Sequence, residues 1–234
     1  MNSIVKTARD LIATLHSGTA RLAGPTAKSG GPWVNALLAG TILGLLAQFL
    51  RQVPGPLMYL GASTAPWVML GFLLAVSASR GARTPRNAIL AATGTVAAYL
   101  VAWLVSYHFL FVLRESVPLA AGWRQTAPWL AVAIPASPIL GTIAALSHQR
   151  GPLGDVCLAV PIAGSVPEAL KILKEGWFFG TAFVIPVAVF AALLIHMAVD
   201  ERPVSGITMV AAVVTLGALG IALFPVYWFL FGRF

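Results

Sequence analysis

Long uncharged apolar stretches separated by short polar joints make up most of this chain. The stretch from Leu57 to Val76 is apolar throughout and carries no charge. A segment entering hydrocarbon must look like this, because uncompensated charge there is costly. Trp33 to Leu50, Asn87 to Leu113, the run from Thr126, Trp177 to Val199 and Val204 to Leu230 repeat the theme. At about 20 residues per crossing, each is long enough to span a bilayer as a helix.

Local signals divide these runs. Ser63-Thr64-Ala65-Pro66-Trp67 reads as a helix start. Ser63 or Thr64 is placed to cap the first N–H groups, and Pro66 falls in the first turn, where its missing N–H is no loss. This second span ends before Arg80. The segment before it, Pro54 to Ser63, is too apolar for an ordinary loop and reads as a short re-entrant or interfacial piece. The fourth span opens on Thr126-Ala127-Pro128-Trp129, the same four residues as Thr64 to Trp67. Each copy follows a span that ends in Leu-Arg, at Leu50-Arg51 and Leu113-Arg114. The expectation is a parallel hairpin repeat, Trp33–Ser79 against Gly94–Ser147, with Trp67 and Trp129 at one membrane depth.

Pro152 to Leu173 holds Asp155, Pro161, Pro167 and Glu168, and decides the topology. As a span it gives seven crossings; otherwise there are six. With six, Lys171, Lys174 and Arg233 join the cytoplasmic basic residues, as the positive-inside rule favours. With seven, Lys171 and Lys174 followed by Trp177 and Thr181-Ala182 echo the earlier span starts on the outer face. The seven-span count is adopted. Lys6, Arg9, Arg21, Lys28 and the Arg80, Arg83, Arg86 loop then lie in the cytoplasm. Residues 1–32 place Ile4, Val5, Ala8, Leu11, Ile12 and Leu15 on one helical face and Lys6, Arg9 and Asp10 on the other. They read as a cytoplasmic amphipathic segment, lying on the membrane or on the protein's own inner face. No apolar core follows their basic residues, so they are not a signal peptide. Residues 33–234 form the helical bundle.

Composition agrees with the pattern. Hydrophobic residues make up 59% of the chain and charged residues 9%, against about 25% charged in soluble domains. The net charge of +8 is spread over joints between spans, which assigns it to topology and excludes nucleic acid as a partner. Cys157 is the sole cysteine, so neither an internal disulfide nor a cysteine metal site exists. With no phosphate-binding Gly-rich loop and no His-Glu-x-x-His, no cofactor is expected, and ATP-driven work would need a partner subunit.

Candidate chemistry is sparse. His108, Glu168 and His196 are the ionisable residues within apolar segments, and such residues are functional candidates by default. Glu168 follows Gly164 and Ser165 on a helix expected to be interrupted by Pro161 and Pro167, as transporters build ion and solute sites. The competing reading pairs Glu168 with Lys171. His196 precedes Asp200 by one turn, and His108 adjoins Tyr107 near the outer end. Ser63 and Thr64 complete the polar candidates. Ala36, Gly40 and Gly44 form a stripe of small residues for close helix packing, within the chain or against a partner. Gly61-Ala62-Ser63-Thr64 partly resembles the Gly-x-Ser-Gly motif of rhomboid proteases but lacks its second glycine. The Glu-Glu-x-x-x-Arg pattern of membrane prenyl-protein endopeptidases is absent. An enzyme is not expected.

Four features taken together carry a resemblance: Ala39-Gly40 with Gly44, Gly61 to Trp67, the Arg80–Arg86 loop, and Pro167-Glu168-Ala169. From Trp33 to Leu230 the chain resembles an uncharacterised bacterial family of small integral membrane proteins. The resemblance implies class and location, the bacterial plasma membrane, and no activity. A looser likeness, to the membrane-embedded substrate-binding subunits of energy-coupling transporters, extends only to size and small first-helix residues. The expectation is therefore an all-α, multi-pass bundle that binds or moves a small solute. Its partners are the lipid bilayer and a second membrane subunit or another copy of the chain. The rival reading is a non-transporting accessory, assembly or self-protection protein.

Overall fold

The computed structural model describes residues 31–54, 56–174 and 205–231. The chain divides into Met1–Gly31 and Pro32–Phe234. Of the first unit only Gly31 is described, so the amphipathic segment expected over 1–32 lies outside the described residues, as does the span Trp177–Val199.

Among the described residues there are seven α-helices and no strand. They are α1 (Pro32–Leu50), α2 (Pro56–Ala62), α3 (Ala65–Arg80), α4 (Pro85–Glu115), α5 (Leu119–Leu146), α6 (Pro152–Lys174) and α7 (Gly206–Phe231). Of these, α1, α4 and α5 are long and apolar enough to cross a membrane. The expected interfacial piece is α2, a two-turn helix between α1 and α3.

Packing inverts the pattern of a soluble helix. On α1 the small residues Ala36, Gly40, Gly44 and Ala47 are buried, while Trp33, Leu38, Ile42 and Phe49 are exposed. Large apolar side chains facing outward on α1, α4, α5 and α7 are what lipid requires and water penalises. The small stripe brings α1 against α4. A methyl group at Gly40 would overlap the Tyr99 carbonyl oxygen, and one at Gly44 would overlap the Trp103 carbonyl and the Ser106 hydroxyl. Tyr99 also lays its ring on Gly71 of α3. This fully buried residue therefore sits between α1 and α3, within a core that includes Trp67, Phe72, Leu100, Trp103 and Leu158. The two hairpins of the expected repeat are accordingly unlike. The pair α4 and α5 packs intimately, while α1 and α3 each pack chiefly on α4.

Three sequence expectations need correction. The fourth span starts at Leu119, not Thr126. Pro118 precedes it, Ser116 turns the chain in the left-handed region, and Thr126 lies inside the helix with its hydroxyl donating to the Gly122 carbonyl at 2.9 Å. Pro128, Pro135 and Pro138 are also interior to α5, as membrane helices permit when neighbours and hydroxyls stabilise the loosened backbone. Next, α6 runs through Pro161 and Pro167 without interruption. Finally, neither Ser63 nor Thr64 caps α3. Thr64 is already helical and makes no capping hydrogen bond, and the Ser63 hydroxyl is buried without a partner. A side-chain cap does occur at α4, where Thr84 accepts from the Asn87 amide at 3.2 Å ahead of Pro85.

The helices α6 and α7 lie side by side and parallel. Asp155, in the first turn of α6, accepts a 3.1 Å hydrogen bond from the Ser205 amide at the start of α7. Further along, Val166 lies against Gly217. Both helices therefore begin at the same end of the bundle.

Candidate functional site: a polar cavity at one end of the bundle

The C-terminal end of α1, the end of α2, the start of α3 and the later turns of α4 meet at one end of the bundle. Their meeting point follows from glycine. A methyl at Gly61 would overlap the Ala47 carbonyl and the Arg51 amide, so α2 folds directly onto the last turn of α1. The Trp67 indole N–H then donates to the Leu60 carbonyl at 3.1 Å, tying α2 to α3. Arg51 donates to the Tyr107 hydroxyl at 2.9 Å, tying the end of α1 to α4.

Between them lies a cavity of about 190 Å³. Ser63 and Thr64 line one side, Trp103, Tyr107 and His108 of α4 another, and Arg51 and Trp129 complete the wall. The aromatic wall is ordered: Trp103 and Tyr107 pack with ring centroids 5.7 Å apart, and the His108 ring meets Tyr107 edge-on at 5.2 Å. Three buried polar atoms of these lining residues have no hydrogen-bond partner: Ser63 Oγ, Trp103 Nε1 and His108 Nδ1. Buried polar groups are nearly always paired, and each orphan costs about 1–3 kcal/mol. Three around one small cavity mark a place built for something else to complete.

Of the residues singled out by sequence, Ser63, Thr64 and His108 come together here. Ser165 does not; its hydroxyl donates to the Ile162 carbonyl of its own helix at 2.6 Å. The Glu168 side chain and the whole of His196 lie outside the described residues. Ala36, Gly40 and Gly44 serve the packing of α1 on α4. The sequence reading passed over Arg51, which it took as a loop charge, and over Trp103 and Tyr107. A signal was present: Tyr99, Trp103 and Tyr107 recur every four residues, an aromatic stripe on one face of α4.

The opposite end is basic. Arg80, Arg83 and His148 line an open groove there. The Ser79 hydroxyl donates to the Val76 carbonyl at 2.8 Å, and His148 Nε2 lies 3.0 Å from both. Among the described residues, no three His, Cys, Asp or Glu side chains gather as a metal site would need.

The model of a family of unknown function, DUF6518, matches residues 24–228, and the chain belongs to that family. No curated protein and no solved structure matches the chain.

Proposed function

We propose that the chain is a multi-pass protein of a bacterial plasma membrane, crossing it seven times with its N-terminus in the cytoplasm, and that it binds a small solute in the Arg51–His108 cavity. The carrying observation is the set of three unpartnered buried atoms around that cavity, in a bundle whose other surfaces are apolar. A dry accessory bundle gains nothing from such orphans, so the cavity favours solute binding over the assembly or self-protection reading.

The seven-span count is supported by the parallel packing of α6 and α7, which enter the bundle from one side. The arginine-lined groove falls at that same side, since His148 holds the loop before α6 against the end of α3. By the positive-inside rule that side is cytoplasmic and the cavity opens outward. Solute movement would draw on a partner membrane subunit or a second copy, because the sequence carries no nucleotide-binding loop.

Binding, not hydrolysis, fits this site. Ser63 and His108 share the cavity, yet each lacks a hydrogen-bond partner, so they do not form a nucleophile–base pair. No carboxylate is among the lining residues to orient the imidazole.

The test is a thermal-shift screen of small metabolites on the full chain in nanodiscs, with Ser63→Ala beside it. The account expects at least one solute to stabilise the wild type saturably. It expects Ser63→Ala, which removes an orphan hydroxyl, to be as stable or more so and to bind that solute more weakly. A wild type that no solute shifts, or a Ser63→Ala variant that binds equally well, contradicts it.

A further inference from the structure

The chemistry of the cavity wall also defines the charge of its ligand, given that the cavity is a solute site. Consider what each lining group can offer. Arg51 is a donor only, always charged, and no carboxylate among the described residues pairs with it. The Trp103 indole N–H is a donor only. Tyr107 accepts from Arg51, which leaves its own hydroxyl hydrogen to donate. Ser63 can donate, and His108 Nδ1 donates or accepts according to its tautomer. The lining residues hold one formal positive charge and no negative one.

Backbone adds to the bias. The helix α3 begins beside Ser63 and Thr64, and its first N–H groups receive no side-chain cap. A helix start carries partial positive charge and favours an anion. Ser63 and Trp103, at 2% and 6% exposure, are the buried unpartnered groups next to it. Charge, donors and dipole all point the same way, towards an oxyanion.

The rest of the wall is apolar or aromatic: Trp103, Leu104 and Trp129. His108 is shared with a larger, open groove of about 460 Å³ lined by Val105, Phe109, Val112 and Trp123. An oxyanion head beside an apolar surface describes a carboxylate with a hydrocarbon body.

We infer that the solute is a small anion, a carboxylate, whose head is held by Arg51, Tyr107, Ser63 and Trp103 and whose apolar part lies on the aromatic wall. The same chemistry reaches the site from water as a short-chain acid or from the bilayer as a fatty acid, and His108 stands where the two routes meet.

The probes are acetate, butanoate, benzoate and decanoate, with butanamide, butylammonium and 1-decanol as matched uncharged and cationic controls. Each is titrated into the full chain in nanodiscs, and tryptophan fluorescence and thermal shift are read together. At least one carboxylate is expected to bind saturably, with its uncharged or cationic counterpart at least tenfold weaker. Arg51→Gln is expected to weaken the carboxylate at least tenfold, and Arg51→Lys to restore part of the loss. The wild-type comparison decides the matter even if Arg51→Gln fails to fold. Decanoate tighter than butanoate, with 1-decanol inert, assigns the bilayer route; the reverse order assigns the aqueous one. Binding of butanamide, butylammonium or 1-decanol equal to that of its carboxylate counterpart overturns the anion assignment and leaves a solute site standing. No binding by any probe overturns the anion assignment as well; if the metabolite screen is also negative, the solute site falls with it.

Discussion

Arg51 and Tyr107, 56 residues apart in sequence, are joined by a 2.9 Å hydrogen bond from guanidinium to phenol at the mouth of the cavity. The contact is exposed, so its worth to the fold is small, at most about 1 kcal/mol. Its worth to the site is larger, because it fixes the cation against the aromatic wall. Tyr107→Phe is therefore expected to change thermal stability by no more than a few degrees while weakening carboxylate binding several-fold. Equal loss of both, or of neither, would count against a positioning role.

Close helix approach gives the second prediction. Gly40 touches the Tyr99 backbone, whereas a methyl at Gly164 would meet open space. Gly40→Ala should cost about 1–3 kcal/mol, since backbone cannot yield as a flexible side chain does. Gly164→Ala should be neutral or stabilising by up to about 1 kcal/mol, from helix propensity alone. Thermal unfolding of both variants in the same detergent checks the contrast.

The parallel pair α6 and α7 gives the third. Asp155 holds the first turn of α7 through the Ser205 amide. Asp155→Ala should lose about 1–2 kcal/mol, as removal of a buried helix cap does, and Asp155→Asn should keep part of it. Topology follows from the same contact. In a Cys157→Ala background, cysteines at Ala82 and Ser205 should both react with an impermeant thiol reagent only after the cells are opened. Glu115→Cys should react in intact cells. Ala82 and Ser205 on opposite sides would refute the seven-span arrangement.

Ser63 supplies the fourth. A binding site does not activate its serine, so a fluorophosphonate probe should leave Ser63 unmodified in membranes. Stoichiometric labelling that disappears in both Ser63→Ala and His108→Ala would establish a hydrolase instead.

Much of the helical frame was legible because hydrocarbon imposes it. Runs such as Trp33–Leu50 have no other stable use, and α1 and α4 begin and end within two residues of where the apolar pattern changes. The Gly40 and Gly44 stripe was legible for a similar reason: only small residues let backbones touch. The start of α5 was not. Thr126-Ala127-Pro128-Trp129 copies a true helix start, yet in α5 the preceding Leu119–Gln125 is already helical, and proline inside a membrane helix is tolerated. The cavity was half legible. Ser63, Thr64 and His108 stood out as polar groups in apolar runs. Arg51 did not, because a charge after a span reads equally as a loop anchor. Its role comes from Gly61 folding α2 onto α1, a three-dimensional fact that no local pattern carries.

The central claim, a solute-binding cavity open to the outer side, is tested most directly at Ala62, an exposed residue on its wall. The measurement is the rate at which Ala62→Cys, in a Cys157→Ala background, reacts with an impermeant thiol reagent in intact cells, with and without saturating carboxylate. The account predicts reaction from outside and at least a several-fold slowing by the carboxylate. Reaction only after the cells are opened, or at a rate the carboxylate leaves unchanged, would contradict it.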